Sequence, residues 1–364
     1  MHIKYVHVFN SQDFKFIPKL VKVIAENKEV FDVREHLFVT PHQKVYNLIK
    51  EYPNVKLSEL RGAKIVNHYG KDVDWIFVHS FSKVTDALEI KRSVAGKVIW
   101  RTWGHDLFRN NEKNFSIKSV LKNVREYLFA RKVEQFYAVA GANCIDEYNI
   151  SLKSDIKKFY RLPYTYEAGV RELLRELEEK KKKDSSQLRI MIGHSGDQNN
   201  HHIEMIRRIQ PYLKKDTKVI LVLAYLPGNE EYVQSVKKYA CDNIPNNIEI
   251  IDTFVPFKEY LSFLNDIDVA IFDSTNSYAL GNISILTRLG KTIYLNKDGI
   301  IHQALNEMNF PHYCTDRLIN ASYELLSQKL QYNPKNFKDL CLIDDYEYLD
   351  RWKRIMCDLN NRGN

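Results

Sequence analysis

Short runs of apolar, β-branched and aromatic residues alternate along the chain with stretches whose apolar positions recur at helical spacing. The runs predict strands at residues 5–9, 35–39, 75–79, 97–101 and 135–140, and again at 188–192, 218–224, 248–251, 269–272 and 292–295. Helical spacing fills the intervals, for example 17–26 and 116–133 in the first half and 201–213, 230–239, 258–264 and 282–289 in the second. Such alternation builds βαβ units on parallel sheets, and two successive sets predict an α/β chain of two domains. The pattern breaks at Arg161-Leu162-Pro163-Tyr164, and a charged helical stretch, 167–183, follows. The expected organisation is an N-terminal domain over 1–163, a linker helix over 164–184, a second domain over 185–330 and a C-terminal helical segment over 331–364.

Composition narrows the class. The chain has 364 residues, 44% hydrophobic and 27% charged, which excludes a disordered or fibrous protein. The longest apolar run, 219–226, is far short of the roughly 18 residues that span a bilayer. The N-terminus reads as a strand and not as a signal peptide, and five scattered cysteines with no C-x-x-C argue against a disulfide framework. A cytoplasmic protein is expected. The net charge of +8 is uneven: residues 1–163 carry 28 Lys and Arg against 18 Asp and Glu, whereas 164–364 carry 26 against 28. An anionic partner for the first half follows. No zinc-finger, helix-turn-helix or RNA-binding signature favours nucleic acid. Stretch 113–132 interleaves Lys118, Lys122, Arg125, Arg131 and Lys132 with Val120, Leu121, Val124 and Leu128. It suits an anionic membrane surface, or a core-facing helix with a solvated side.

Neither G-x-G-x-x-G nor a P-loop occurs. Ligands of parallel α/β sheets nonetheless bind beyond the carboxyl ends of the strands, so the residues after each strand carry the candidate chemistry. After 188–192 comes Gly193-His194-Ser195-Gly196, then Asn200 and His202 at the start of a helix. Two glycines before a helix N-terminus suit a diphosphate, and equally an ordinary capped turn. A nucleophile elbow is excluded because Asp197 stands where G-x-S-x-G needs its last glycine. A second glycine-bearing helix start, Ala279-Leu280-Gly281-Asn282-Ile283-Ser284, follows 269–272. In the first half, Trp103-Gly104-His105-Asp106 follows 97–101, and Asp106 is placed to take a proton from an acceptor hydroxyl. His79 closes the neighbouring strand as a second catalytic candidate or a simple hydrogen-bonding residue. The D-x-D patterns Asp72-Val73-Asp74 and Asp266-Ile267-Asp268 precede strands, so they read as turns at the wrong end of the sheet for a nucleotide-sugar cation. The pair His201-His202 lacks the spacing of a zinc site.

Five segments in order carry a resemblance: Tyr5-Val6-His7-Val8, Trp103-Gly104-His105-Asp106-Leu107, residues 195–202, residues 225–232 and Ala279-Leu280-Gly281-Asn282-Ile283. Over roughly 1–330 the chain resembles the bacterial TDP-N-acetylfucosamine:lipid II N-acetylfucosaminyltransferases, the 4-alpha-L-fucosyltransferase family, glycosyltransferase family 56. The resemblance implies a GT-B fold, two Rossmann-like parallel-sheet domains facing across a cleft. It implies a nucleotide-diphosphate sugar donor held by the second domain, a polyprenyl-diphosphate-linked acceptor at the first, and no metal cofactor. It implies a peripheral position on the inner face of the bacterial cell membrane, in assembly of enterobacterial common antigen or O-antigen. The donor residues carried over are Gly193, Ser195, Gly196, Asn200, His202, Tyr225, Phe257, Gly281, Asn282 and Ser284. The chain departs from the family at Asn276-Ser277-Tyr278, where members carry Arg-Gln-Gln. Two alternatives stand beside this reading: a GT-B transferase using another nucleotide sugar and acceptor, and a catalytically silent assembly partner.

Overall fold

The computed structural model describes residues 2–10, 16–81, 83–102, 117–140, 145–156, 158–163, 170–179, 187–224, 229–333 and 345–363. Its contacts divide the chain into two compact units, Met1–Ala168 with Ile343–Asn364, and Gly169–Leu342.

The first unit holds seven strands: β1 (Tyr5–Phe9), β2 (His36–Thr40), β3 (Val55–Leu57), β4 (Trp75–His79), β5 (Val98–Arg101), β6 (Tyr137–Ala140) and β7 (Phe159–Arg161). They lie in the order β3-β2-β1-β4-β5-β6-β7, and every pairing is parallel. The second unit holds β8 (Arg189–Ile192), β9 (Lys218–Val222), β10 (Ile248–Ile251), β11 (Val269–Phe272), β12 (Thr292–Leu295) and β13 (Tyr313–Cys314). Its order is β10-β9-β8-β11-β12-β13, again parallel throughout. In both sheets the order reverses between the first and the fourth strand. Loops leaving those two strands part to opposite faces and open a crevice at their carboxyl ends. In the second unit that crevice lies between β8 and β11.

All ten strands expected from the sequence are present, with small shifts at their ends. The three that the pattern does not reveal are β3, β7 and β13. Each is two or three residues long and closes a sheet edge, too short for any alternation to register. The inner strands are buried on both faces. Along β4, Ile76 and Val78 enter one core layer while Trp75 and Phe77 enter the other. Helix Ile17–Glu26 buries Ile17, Leu20, Val21 and Ile24, the i, i+3, i+4, i+7 stripe its sequence promises. Both D-x-D patterns sit at the amino ends of strands, and Asp268 there accepts the Arg189 backbone N–H at 3.0 Å.

The C-terminal helix expected from the sequence belongs to the first unit. Helix Asp345–Gly363 packs on the first sheet, although the second unit, Gly169–Leu342, precedes it. Tyr348, Trp352, Ile355 and Leu359 complete the core layer that contains Phe31 and Phe77. Trp352 meets Phe31 edge-on at 5.4 Å and Phe77 at 5.7 Å, with the buried Arg101 guanidinium 5.3 Å from its ring. Polar ties lock the register: the Tyr5 hydroxyl donates to Asn360 Oδ1 at 2.6 Å and Trp75 Nε1 donates to the Leu359 carbonyl at 3.2 Å. A sheet face this apolar needs cover, and this helix supplies part of it. Trp352→Ala is therefore expected to destabilise the first unit by about 3–5 kcal/mol, measurable as a lower urea midpoint. The helix Val170–Glu179, expected as a linker, belongs to the second unit and buries Leu174 there.

Candidate functional site

Strand β8 delivers the chain to Gly193 at the crevice. Gly193 has φ +70°, and a Cβ there would lie 2.3 Å from Nε2 of His202, so only glycine fits. Gly196 is hemmed in as well: a Cβ would meet Val233 at 2.7 Å and the Leu223 carbonyl at 2.9 Å. The turn between them is held by Asn200, which is 1% exposed. Its Nδ2 donates to the carbonyls of Ser195 at 3.0 Å and Asp197 at 3.1 Å, and its Oδ1 accepts from His194 Nδ1 at 3.0 Å. Burial pushes the His194 pKa down, so its imidazole is neutral with the proton on Nδ1. Among the described residues the Ser195 hydroxyl makes only long contacts of 3.5 Å, to His194 Nε2 and Asn200 Nδ2.

His202, carried over as a donor-binding side chain, has a different place. It is fully buried at the first turn of helix His202–Ile209, under Gly193. The Tyr232 hydroxyl accepts its backbone N–H at 3.2 Å and meets its Nδ1 at 3.1 Å. Burial drives the imidazole pKa down to about 3. A neutral ring without solvent contact shapes the loop and cannot reach a ligand.

The exposed histidine is its neighbour. His201 adopts a left-handed backbone, φ 49°, and its Nδ1 lies 2.9 Å from Asp273 Oδ2. Asp273 directly follows β11 and is 4% exposed. Its other oxygen accepts from Thr315 Oγ1 at 2.6 Å and Asn296 Nδ2 at 3.2 Å. The hydrogen bond to Asp273 raises the His201 pKa above its usual value. The result is a histidine whose protonated form is favoured by a buried carboxylate, with the ring nearly half exposed at the crevice. Residue-by-residue reading misses this pair, since the partners are 72 positions apart. The available signal was an aspartate directly after a core strand.

From Asp273 the chain turns to helix Leu280–Arg288. The N-cap, Ala279, is left-handed at φ 65° and offers no side-chain hydrogen bond, so the first-turn amides have no capping side chain. Gly281 is exposed with open space around its Cα, Asn282 is half-buried and Ser284 is buried. The loop leading to this helix meets the β8 loop, with the Tyr278 and His194 rings 6.3 Å apart. The structure thus gathers Gly193, Ser195, Gly196 and Asn200 with Tyr278 and the Leu280–Arg288 helix start, and adds His201 and Asp273. Phe257 opens helix Phe257–Asp266 after β10, two strands from β8, and is half-buried. Tyr225 and Asp106 lie outside the described residues.

In the first unit, His79 ends β4 as expected, but its ring shares the Trp75–Phe77 face and is fully buried. Its Nε2 meets His7 Nδ1 at 3.0 Å, and His7 Nε2 meets His36 Nδ1 at 2.9 Å. Burial holds its pKa well below the usual value. A group shut inside this aromatic layer has no path to an acceptor hydroxyl, so His79 is not a catalytic residue.

The sequence model of the 4-alpha-L-fucosyltransferase glycosyl transferase group 56 family matches residues 16–360. The chain belongs to this family. It is a glycosyltransferase by family. Solved structures with the same fold include a UDP-forming α,α-trehalose-phosphate synthase from Burkholderia vietnamiensis, at 8% identity and TM-score 0.61, covering 100% of this chain and 99% of that one. A glycosyltransferase from Rickettsia africae reaches TM-score 0.59 at 11% identity, covering 100% and 98%. HepE of Anabaena, in complex with UDP and glucose, reaches 0.53 at 11% identity, covering 100% and 96%. At such identities the likeness establishes the fold, that of GT-B transferases, for this group 56 member. Among the described residues no helix is long and apolar enough to cross a membrane.

Proposed function

We propose that this group 56 transferase moves a deoxyamino sugar, similar to 4-acetamido-4,6-dideoxygalactose, from its TDP-linked donor to a polyprenyl-diphosphate-linked glycan in surface polysaccharide assembly. The observation that carries the donor site is the crevice between β8 and β11, where His201, hydrogen-bonded to the buried carboxylate of Asp273, accompanies the uncapped start of helix Leu280–Arg288. Both favour a diphosphate: the helix start through N–H groups and its positive dipole end, His201 through a formal charge. HepE, a neighbour of the same fold, holds UDP and glucose, which supports a nucleotide-sugar donor. The Ser195 hydroxyl, with only long contacts of its own, adds a further donor to the ligand.

The chemistry follows from this placement. The acceptor hydroxyl oxygen forms a bond to the anomeric carbon as the bond to the donor diphosphate breaks. Negative charge grows on the departing nucleoside diphosphate, and fixed N–H dipoles and His201 stabilise it where it forms. These groups do the work a divalent cation does in other transferases, so no metal cofactor is required. Asp106 takes the acceptor proton in an inverting transfer. Asp106→Asn is then expected to lower turnover by about 10²–10⁴-fold with donor affinity unchanged. Near-normal turnover would remove its role as base.

The donor assignment is tested by calorimetric titration with TDP, UDP, GDP and CDP in the presence of EDTA. TDP is expected to bind most tightly and to bind equally well without the chelator. Binding of none, or binding that EDTA abolishes, contradicts the proposal.

A further inference from the structure

Helix Ile117–Val133 in the first unit packs on helix Val84–Leu88 and buries Phe129, Ala130 and Val133 against the core. That accounts for one side of it. On the other side Val120, Leu121, Val124, Tyr127 and Leu128 are between 47% and 65% exposed. These are five of the eleven large apolar side chains left exposed among the described residues. At about 100° per residue, the five fall within roughly a third of the helix circumference, and the buried stripe lies opposite. The helix thus has two apolar stripes, of which the fold uses one. A contiguous outward stripe on a soluble domain marks a surface meant to be covered.

The charges say by what. Arg125 and Lys132 flank the stripe on one edge, and Arg131 lies within it. Lys132 reaches the Ile90 carbonyl at 2.7 Å, and burial together with the adjacent Arg92 guanidinium holds its pKa down, so Arg92 extends the basic edge. The acids of this stretch are neutralised within the unit: Glu126 pairs with Lys153 at 3.0 Å and Glu134 with Arg131 at 3.1 Å. Leucines and valines between basic groups, on the half of the chain that holds the whole positive excess, complement a surface that is apolar within and anionic at its face.

We infer that the outward stripe of helix Ile117–Val133 lies in the interfacial layer of an anionic lipid bilayer, with Val120, Leu121, Val124, Tyr127 and Leu128 among the acyl chains and Arg125 and Arg92 at the headgroups. The geometry of this helix carries the inference independently of the donor site; the proposed lipid-linked acceptor supplies only its purpose. Helices of this kind insert by apolar area and are held by anionic lipid.

The test is co-sedimentation of the full chain with vesicles of phosphatidylcholine, alone or in an equal mixture with phosphatidylglycerol. Wild type is expected to pellet with the anionic vesicles and about tenfold less with the neutral ones, the difference shrinking at high salt. The double variant Leu121→Gln/Leu128→Gln should lose about tenfold or more in partitioning, and Arg125→Glu should lose anionic selectivity. Both substitute exposed positions, so the thermal midpoint and TDP titration should match wild type, which shows that the variants fold. Failure of wild type to pellet, or unchanged pelleting of both variants, overturns the inference. So does a concentration-dependent dimer in sedimentation velocity that the leucine variant abolishes, which would assign the stripe to a second copy of the chain. A chain that pellets normally but does not bind TDP refutes the donor proposal and leaves this one standing.

Discussion

His201→Asn is expected to weaken donor nucleotide binding about ten- to a hundredfold and to flatten its pH dependence. A hydrogen bond to a charged group contributes about 1.5–3 kcal/mol, and each 1.4 kcal/mol is tenfold in affinity. Asn tolerates the left-handed backbone at this position, φ 49°, so the change removes the cation with little strain on the loop. The sign of the pH effect follows from the raised His201 pKa. The imidazolium is complete below the ordinary histidine range and is lost as pH rises through the raised value. Wild-type affinity should therefore fall as pH climbs above about 6.5, and the variant should show little change across the same window. Asp273→Asn should act in the same direction by lowering the His201 pKa, with an added stability loss, because Asp273 also accepts from Thr315 and Asn296. Calorimetric titrations of the three proteins across that range separate the charge from the hydrogen bonds that hold it.

The second large effect is on stability in acid. His7, His36 and His79 form a continuous buried chain of hydrogen bonds inside the first unit, each at most 1% exposed. Desolvation holds all three imidazoles neutral: His7 and His79 fall well below the ordinary value and His36 to about 3. The unfolded chain takes up these protons near pH 6.5, the folded chain only far lower. Their contribution is complete above about 6.5 and is lost as pH falls below it, at about 1.4 kcal/mol per pH unit for each group. Three groups give a slope of about 4 kcal/mol per pH unit, against a total stability of about 5–15 kcal/mol. The first unit should unfold at mildly acidic pH, before carboxylate protonation dominates. Residues 169–342, the second unit, contain no tryptophan, so tryptophan fluorescence in urea reports the first unit alone. A stability flat between pH 7.5 and 5.5 would contradict the neutral chain. His36→Gln, at one end of it, should reduce the slope by about a third.

The same histidines show where sequence reading reaches and where it stops. The alternation of apolar runs announced both sheets, because inner strands such as β4 and β11 are continuous blocks of buried residues bounded by polar turns. Gly193, Gly196 and Asn200 were legible as a loop with a purpose, since two glycines between a core strand and a helix signal a tight turn. Which side chains face out of that loop was not legible. His201 and His202 are adjacent and identical in type, yet one pairs with a carboxylate at the surface and the other is sealed beneath Gly193. The left-handed backbone at His201, and Asp273 arriving from β11, make that difference. His79 fails for the complementary reason. Its strand end is polar in sequence, but the ring turns into the core, where His7 of β1 meets its Nε2 and is itself backed by His36 of β2. Helix Asp345–Gly363 was legible as amphipathic and not as part of the first sheet's cover, because contacts such as Trp352 with Phe31 cross the whole length of the second unit.

The donor site rests on one geometric claim, that the diphosphate lies between the β8 loop and the start of helix Leu280–Arg288. A crystal structure with TDP bound tests it most directly. Phosphate oxygens are expected within about 3 Å of the Gly281 and Asn282 backbone nitrogens, with His201 Nε2 on the same group. A diphosphate seated elsewhere, with His201 and the helix start in contact only with solvent, would contradict it.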